Sequence, residues 1–159
     1  MTQDARFEDG GDRPLNLGAL DGEDLQVLST LAQDAVFPAS EMQWLPSERR
    51  FAVLINRFRW EDLKSAELRK RSVERVQCLL VVDNVQSVAS QGVERGDADT
   101  ILSLLAISFE AGEDAEGAVI LTLAGDGAIR LKVEALDVAL KDVTRPYLAP
   151  SKNTPSHPE

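Results

Sequence analysis

Two runs of strict alternation, separated by a glycine turn, constrain this chain more than any other feature. In GAVILTLAGDGAIRLKV, Val119, Leu121 and Leu123 alternate with Ala118, Ile120 and Thr122, and Ile129, Leu131 and Val133 alternate with Arg130, Lys132 and Glu134. A period of two is the mark of a strand with one face buried, because successive side chains leave the backbone on opposite sides. Gly125-Asp126-Gly127 lets the chain reverse without a Cβ clash, so the two runs read as a β-hairpin. One face of the hairpin, with Arg130, Lys132, Glu134 and Thr122, is solvated; the other needs a cover from the rest of the chain.

The best candidate for that cover starts at Leu20. Asp21 stands as N-cap with Asp24 three residues later, a variant of the capping box, and Leu20 and Leu25 occupy the two positions of a hydrophobic staple. Asp21, Glu23 and Asp24 also complement the helix dipole. Leu25, Leu28, Leu31, Ala32, Ala35 and Val36 then recur at helical spacing, giving an amphipathic helix of about four turns that Pro38 ends.

Further strands follow. Glu41–Leu45 and Arg50–Trp60 pair across Pro46-Ser47-Glu48, Val73–Val82 and Val85–Val93 pair across Asp83-Asn84, and Ile101–Glu110 returns with Ile101, Leu105, Ile107 and Phe109 on one face. Arg50–Trp60 is apolar on both faces at its centre, which marks a central strand or a bulge near Asn56. Between them, Glu61–Ser72 is polar and reads as a loop or a few exposed helical turns. Leu136, Ala139, Leu140 and Val143 have helical spacing although Val138 also fits a continued strand, and the reading leans to a short helix. The expected fold is α+β: the N-terminal helix on a curved, mainly antiparallel sheet of about seven strands, forming a partly open barrel or sandwich. Residues 1–14 read as a mobile acidic arm, 15–143 as one domain, and 144–159 as a proline-rich tail.

Charge narrows the function. The formal net charge is −10, which repels phosphate backbones and anionic lipid and makes nucleic-acid and membrane partners poor expectations. Against that background, residues 49–75 hold nine basic and four acidic residues, a net of +5, so the remainder carries −15. Such segregation points to a protein or other anionic partner, or else to a solvated face paired with local acids. Asn56, Arg57, Arg59, Arg69, Lys70 and Arg71 are the candidate binding residues. Trp44, Phe58 and Trp60 accompany Arg57 and Arg59, a combination that in a nucleic-acid binder would be a stacking platform beside phosphate contacts; the simpler account makes Trp44 and Trp60 core residues of an early hairpin, with the arginines snorkelling along its outer face.

Catalytic inventory is thin. The one histidine, His157, stands near the end of the tail, and the one cysteine, Cys78, lies within an apolar run where a small buried hydrophobe is expected. There is no Walker sequence, nucleophile elbow or dinucleotide fingerprint, and the acidic loops at 94–99 and 110–116 lack EF-hand spacing. No catalytic residue, metal or cofactor is assigned, and the reading leans away from an enzyme. The acidic N-terminus lacks a secretory pattern and no apolar run has membrane-spanning length, which suits a cytoplasmic protein.

Two functions are therefore carried forward. One is a non-catalytic binding or scaffold module that uses the basic segment; the other is a small-molecule binder or enzyme with a pocket at the barrel mouth near Asn56, Arg57 and Arg59. The stretches LGALDGEDLQVLSTLAQDAVFP, RRFAVLINRFRWED, ERVQCLLV and LTLAGDGAIRLKVEALDVALKDVTRPY resemble an uncharacterised alphaproteobacterial family of unknown function. That resemblance implies a bacterial cytoplasmic protein and supplies no site residues. The succession of strands followed by a short helix also looks like the layout of pleckstrin-homology-like barrels.

Overall fold

A computed structural model describes residues 14–70, 73–93 and 99–147. Ten strands and two α-helices follow in the order β1 (Asn16–Ala19), α1 (Gly22–Ala32), β2 (Val36–Pro38), β3 (Met42–Leu45), β4 (Arg50–Phe58), α2 (Leu63–Leu68), β5 (Arg75–Val82), β6 (Val85–Gln91), β7 (Ile101–Ala111), β8 (Gly117–Leu123), β9 (Gly127–Val133) and β10 (Val138–Asp142). All pairings are antiparallel, in the order β1-β10-β5-β4-β2-β7-β8-β9-β6, with β3 also on β4. The sheet is mainly antiparallel and unclosed, as expected, but richer in strands than the seven or so anticipated.

The β8–β9 hairpin forms as read. Leu123 pairs with Gly127, and the turn between them puts Gly125 and Asp126 at φ of 79° and 67°, so the second left-handed position falls on Asp126, a residue that tolerates it, instead of on Gly127. Val119, Leu121, Leu123, Ile129, Leu131 and Val133 are all buried. They meet the inward residues of β4, β5 and β10, including Val53, Ile55, Leu80, Val82, Val138 and Leu140, in one core. Helix α1 adds Leu25, Leu28 and Ala32 and packs on β7, β1 and β4. Each such valine, leucine or isoleucine contributes about 1.5–3 kcal/mol by leaving water.

Helix α1 is capped as expected, with the Asp24 amide donating to Asp21 Oδ1 at 2.9 Å. It is shorter than its apolar stripe suggests. The helix stops at Ala32, Asp34 takes φ of 66°, and Val36 enters β2, where it pairs with Asn56 and Ser103. Pro38 therefore closes a strand, not the helix. Leu20 remains 71% exposed, so the anticipated staple with Leu25 is not made.

Three other expectations are corrected. First, β5 and β6 are not a hairpin: β5 lies between β4 and β10, and β6 pairs with β9. Around the Asp83-Asn84 turn, Asp83 N donates to Asp137 O, Val85 N to Arg49 O and Glu134 N to Asn84 O, so the chain crosses from one part of the sheet to another. Second, 138–142 is a strand. Val138 and Leu140 point inward with Asp142, pairing with β5 on one side and β1 on the other satisfies the backbone, and the seven-strand layout ending in a helix is not adopted. Third, alternation in β7 breaks at a register shift between Leu104 and Ala106. Leu104 and Ile107 are buried while Leu105 is 42% and Ile101 62% exposed, and the Ile107 amide donates to Ser29 Oγ of α1 at 2.8 Å. Strand β4, by contrast, pairs with β5 without interruption from Phe51 to Phe58, so no bulge marks that pairing at Asn56 and the central-strand reading holds.

Candidate functional site

The alternation of β4 sends every second side chain from Phe51 inward, and the fourth of these is Arg57. Its guanidinium is fully buried where the interior ends. Nη1 and Nη2 donate to the two carboxylate oxygens of Glu61, each at 2.8 Å, and Nη2 also donates to Asp142 Oδ1 at 3.0 Å. Nε donates to Cys78 Sγ at 3.0 Å, Nη1 to the Phe58 carbonyl at 3.1 Å, and the Cys78 thiol donates to Asp142 Oδ1 at 2.7 Å. The main-chain N–H of Leu15 completes the set on Asp142 Oδ2 at 2.8 Å. Pairing brings these groups together, since Cys78 is the register partner of both Ile55 and Asp142.

This arrangement is electrostatically closed. Burial would drive the Arg57 proton off, but the hydrogen bond and charge of Glu61, with Cys78 and Asp142, hold it on more tightly than in water. Burial likewise opposes the Glu61 carboxylate, yet Arg57 more than reverses this and keeps it below the usual range. Burial, aided by the hydrogen bond and charge of Asp142 and opposed by Arg57, pushes the Cys78 thiol up to about 12. The thiol is thus a protonated donor at neutral pH, not a nucleophile.

Arg59 is also buried, with Nη1 ion-paired to Glu74 and 3.5 Å from Asp62 Oδ2. The reading of Arg57 and Arg59 as snorkelling on an outer face is therefore corrected: both are enclosed among carboxylates. Around them the Phe58 ring lies 5.5 Å from that of Trp60, tilted by 45°, Arg75 lies 4.3 Å over the Phe58 ring, and Trp60 Nε1 donates to the Gln33 carbonyl at 2.9 Å. Trp60 and Leu63 pack on a small cluster of Phe58, Ala66 and Val73 that seats α2.

Ion pairs also occupy the start of the basic segment, with Arg49 on Glu134 and Arg50 on Asp83. What remains lies on or just after α2. Lys64, Arg69 and Lys70 are exposed and make no ion pair among the described residues, and Leu68 beside them is 78% exposed. Arg71 lies outside the described residues. The six candidate residues thus fall into different settings: Arg57 and Arg59 inside, Arg69 and Lys70 outside, and Asn56 half-buried on the opposite face of β4 from Arg57.

Asn56 borders a shallow hollow of about 190 Å³, between β2 and β4, with Pro38, Glu41, Leu54, Gln77 and Ile101. Its Nδ2 donates to Tyr147 Oη at 2.6 Å, while its buried Oδ1 has no partner among the described residues. The hollow arises because β4 pairs with β3 up to Val53 and with β2 at Asn56, leaving Leu54 and Ile55 without a partner strand on that side. Sequence marked Asn56 correctly as a polar residue in an apolar strand, but Asp142, Glu61 and Cys78 were missed as its neighbour's partners. The available signal was the pair of inward positions, Arg57 and Asp142, that break otherwise apolar faces.

Among the described residues, no three His, Cys, Asp or Glu side chains are grouped to hold a metal, and no helix is long and apolar enough to cross a membrane. No curated protein and no solved structure matches the chain. Residues 15–157 match the family described as "Protein of unknown function (DUF2948)", and the chain belongs to that family.

Proposed function

We propose that this protein is a non-catalytic binding module that engages an acidic segment of a partner protein through the tip made by Lys64, Leu68, Arg69 and Lys70, with Arg71 next in sequence. One observation carries the reading. In a chain of net charge −10, these three cations stand exposed without an acidic partner among the described residues, beside an exposed leucine, while the arginines at 49, 50, 57 and 59 are spent on internal or local carboxylates. Cationic side chains around an apolar contact suit a partner that brings acids and one hydrophobic residue. A bacterial, cytoplasmic setting is part of the same proposal and rests on the resemblance described above.

The experiment is affinity capture from the native host with intact-complex mass spectrometry, comparing the wild type with the Lys64→Glu, Arg69→Glu, Lys70→Glu variant. The reading requires a partner that is lost in the variant and whose retention falls as salt rises. Capture that survives the triple reversal contradicts it.

A second reading is favoured by the unpartnered Asn56 Oδ1: a small ligand with a hydrogen-bond donor seated in the hollow beside Pro38 and Leu54. A metabolite thermal-shift screen tests it, since a ligand of the native state raises the unfolding temperature and Asn56→Leu abolishes that rise. A screen without any shift removes this alternative.

A further inference from the structure

The sheet ends at β1 on one side and at β6 on the other. β1 has four residues, whereas β6 has seven and, among the described residues, pairs with β9 alone. Edge strands are ordinarily blunted by shortness, charge, proline or a covering element, because their unpaired N–H and C=O groups accept another strand. β6, VQSVASQ, has no charged residue and no proline, and Ser87, Ala89, Ser90 and Gln91 are exposed. Its register shift falls at Gln86, which leaves Ser87–Gln91 in regular pairing with β9.

We propose that β6 is a dimerisation edge, taking the β6 of a second copy antiparallel about a two-fold axis through Ala89, so that two sheets join into one. Under that axis Ala89 meets Ala89, Val88 meets Ser90, and Ser87 meets Gln91. Every opposed pair is small or uncharged, so no like charges face one another across the ladder. The same strand serves both partners, as a two-fold interface requires.

The surroundings favour a second copy in particular. At long range two chains of charge −10 repel, but the strand behind the edge carries Lys132 opposite Ser87 and Arg130 opposite Ala89. The two-fold places Lys132 at the end of the ladder where the second copy brings Gln91 and, beyond it, the exposed acidic turn at Asp126. On the outer face, small residues at Ser87, Ala89, Ala118 and Gly117 leave a groove of about 410 Å³ that Arg130, Lys132, Glu110 and Glu116 also line, so the side chains on the edge strand itself are small there.

Light scattering across a concentration series, combined with cysteine crosslinking, tests this. Cys78 is the one cysteine of the chain and is buried, so an introduced thiol is uniquely accessible. Opposed residues of an antiparallel pair lie at a Cα separation of roughly 4.5–5.5 Å, within disulfide reach. Expected are a mass rising from monomer to dimer in the wild type, loss of that rise in Ala89→Lys, and a covalent dimer from Ala89→Cys at least tenfold in excess of the exposed control Glu113→Cys. Ala89 is exposed but stands opposite Arg130, so the lysine is expected to lower the monomer's unfolding midpoint slightly, and an unchanged circular dichroism spectrum shows that the variant still folds. A wild type that stays monomeric, or a dimer indifferent to Ala89→Lys with no excess crosslinking, overturns the proposal.

Discussion

The strands β8 and β9 and the strands β4, β5 and β10 are built alike, with alternating side chains pointing into one core, but they end differently. Across β8 and β9 every inward position from Val119 to Val133 is aliphatic. Across β4, β5 and β10 the inward rows run through Ile55, Leu80 and Leu140 to Arg57, Cys78 and Asp142, with Val76 of β5 buried opposite Arg57. The first region is held by burial alone. The second closes its open end with charges that are satisfied by one another, and it does so with residues that a charge count assigns to the surface. Strand alternation thus outranks composition as a guide to where a charge resides.

The contrast has a sharp consequence for mutation. Asp142→Ala leaves Arg57 and Cys78 buried with a partner missing, and is expected to cost about 3–5 kcal/mol in urea unfolding. Replacing the opposed charges together, as Arg57→Met with Asp142→Leu and Glu61→Gln, is expected to recover most of that loss, because the apolar region shows that the same core accepts aliphatic side chains. Leu131→Ala, in the apolar region, is expected to cost about 2–5 kcal/mol through its cavity, with no compensating partner mutation of the ionic kind.

Acid and alkali separate the regions further. Glu61 is held below its ordinary range, so its contribution is present above the unfolded glutamate value and is lost as pH falls through the lower folded value. Urea titrations of Glu61→Gln are expected to show a flatter acid limb than the wild type. Cys78 shifts the opposite way: its contribution is complete below the ordinary thiol value and is lost as pH rises toward about 12. Cys78→Ala is expected to remove that alkaline loss, whereas Leu131→Ala changes neither limb. The smallest expected effect lies outside both regions: Asp21→Ala, which removes the cap of α1, is expected to cost about 1 kcal/mol.

What could be read from sequence follows the same division. The β8–β9 hairpin, the Asp21 cap and the central place of β4 were legible because each rests on local periodicity or turn chemistry. Strand β10 was not, because Leu136, Ala139 and Leu140 satisfy a helical spacing as well as an extended one, and only pairing with β1 and β5 decides between them. The β5–β6 connection misled for a related reason: a tight Asp-Asn turn looks the same whether the strands pair or part. The ionic cluster joins residues up to 85 positions apart, so no window of sequence contains it, although Arg57 and Asp142 each interrupt a buried face. Segregated basic charge was visible, but its division into enclosed arginines and an exposed tip depends on which face of β4 turns inward.

The central contrast is that Arg57 is a structural member of the interior while Lys64, Arg69 and Lys70 are surface charges. Equilibrium urea unfolding of Arg57→Met beside the Lys64→Glu, Arg69→Glu, Lys70→Glu variant tests it most directly. The expected result is a loss of about 3–5 kcal/mol for the single substitution and a change within about 0.5 kcal/mol for the triple reversal. An Arg57→Met protein as stable as the wild type, or a triple variant that loses several kcal/mol, would contradict it.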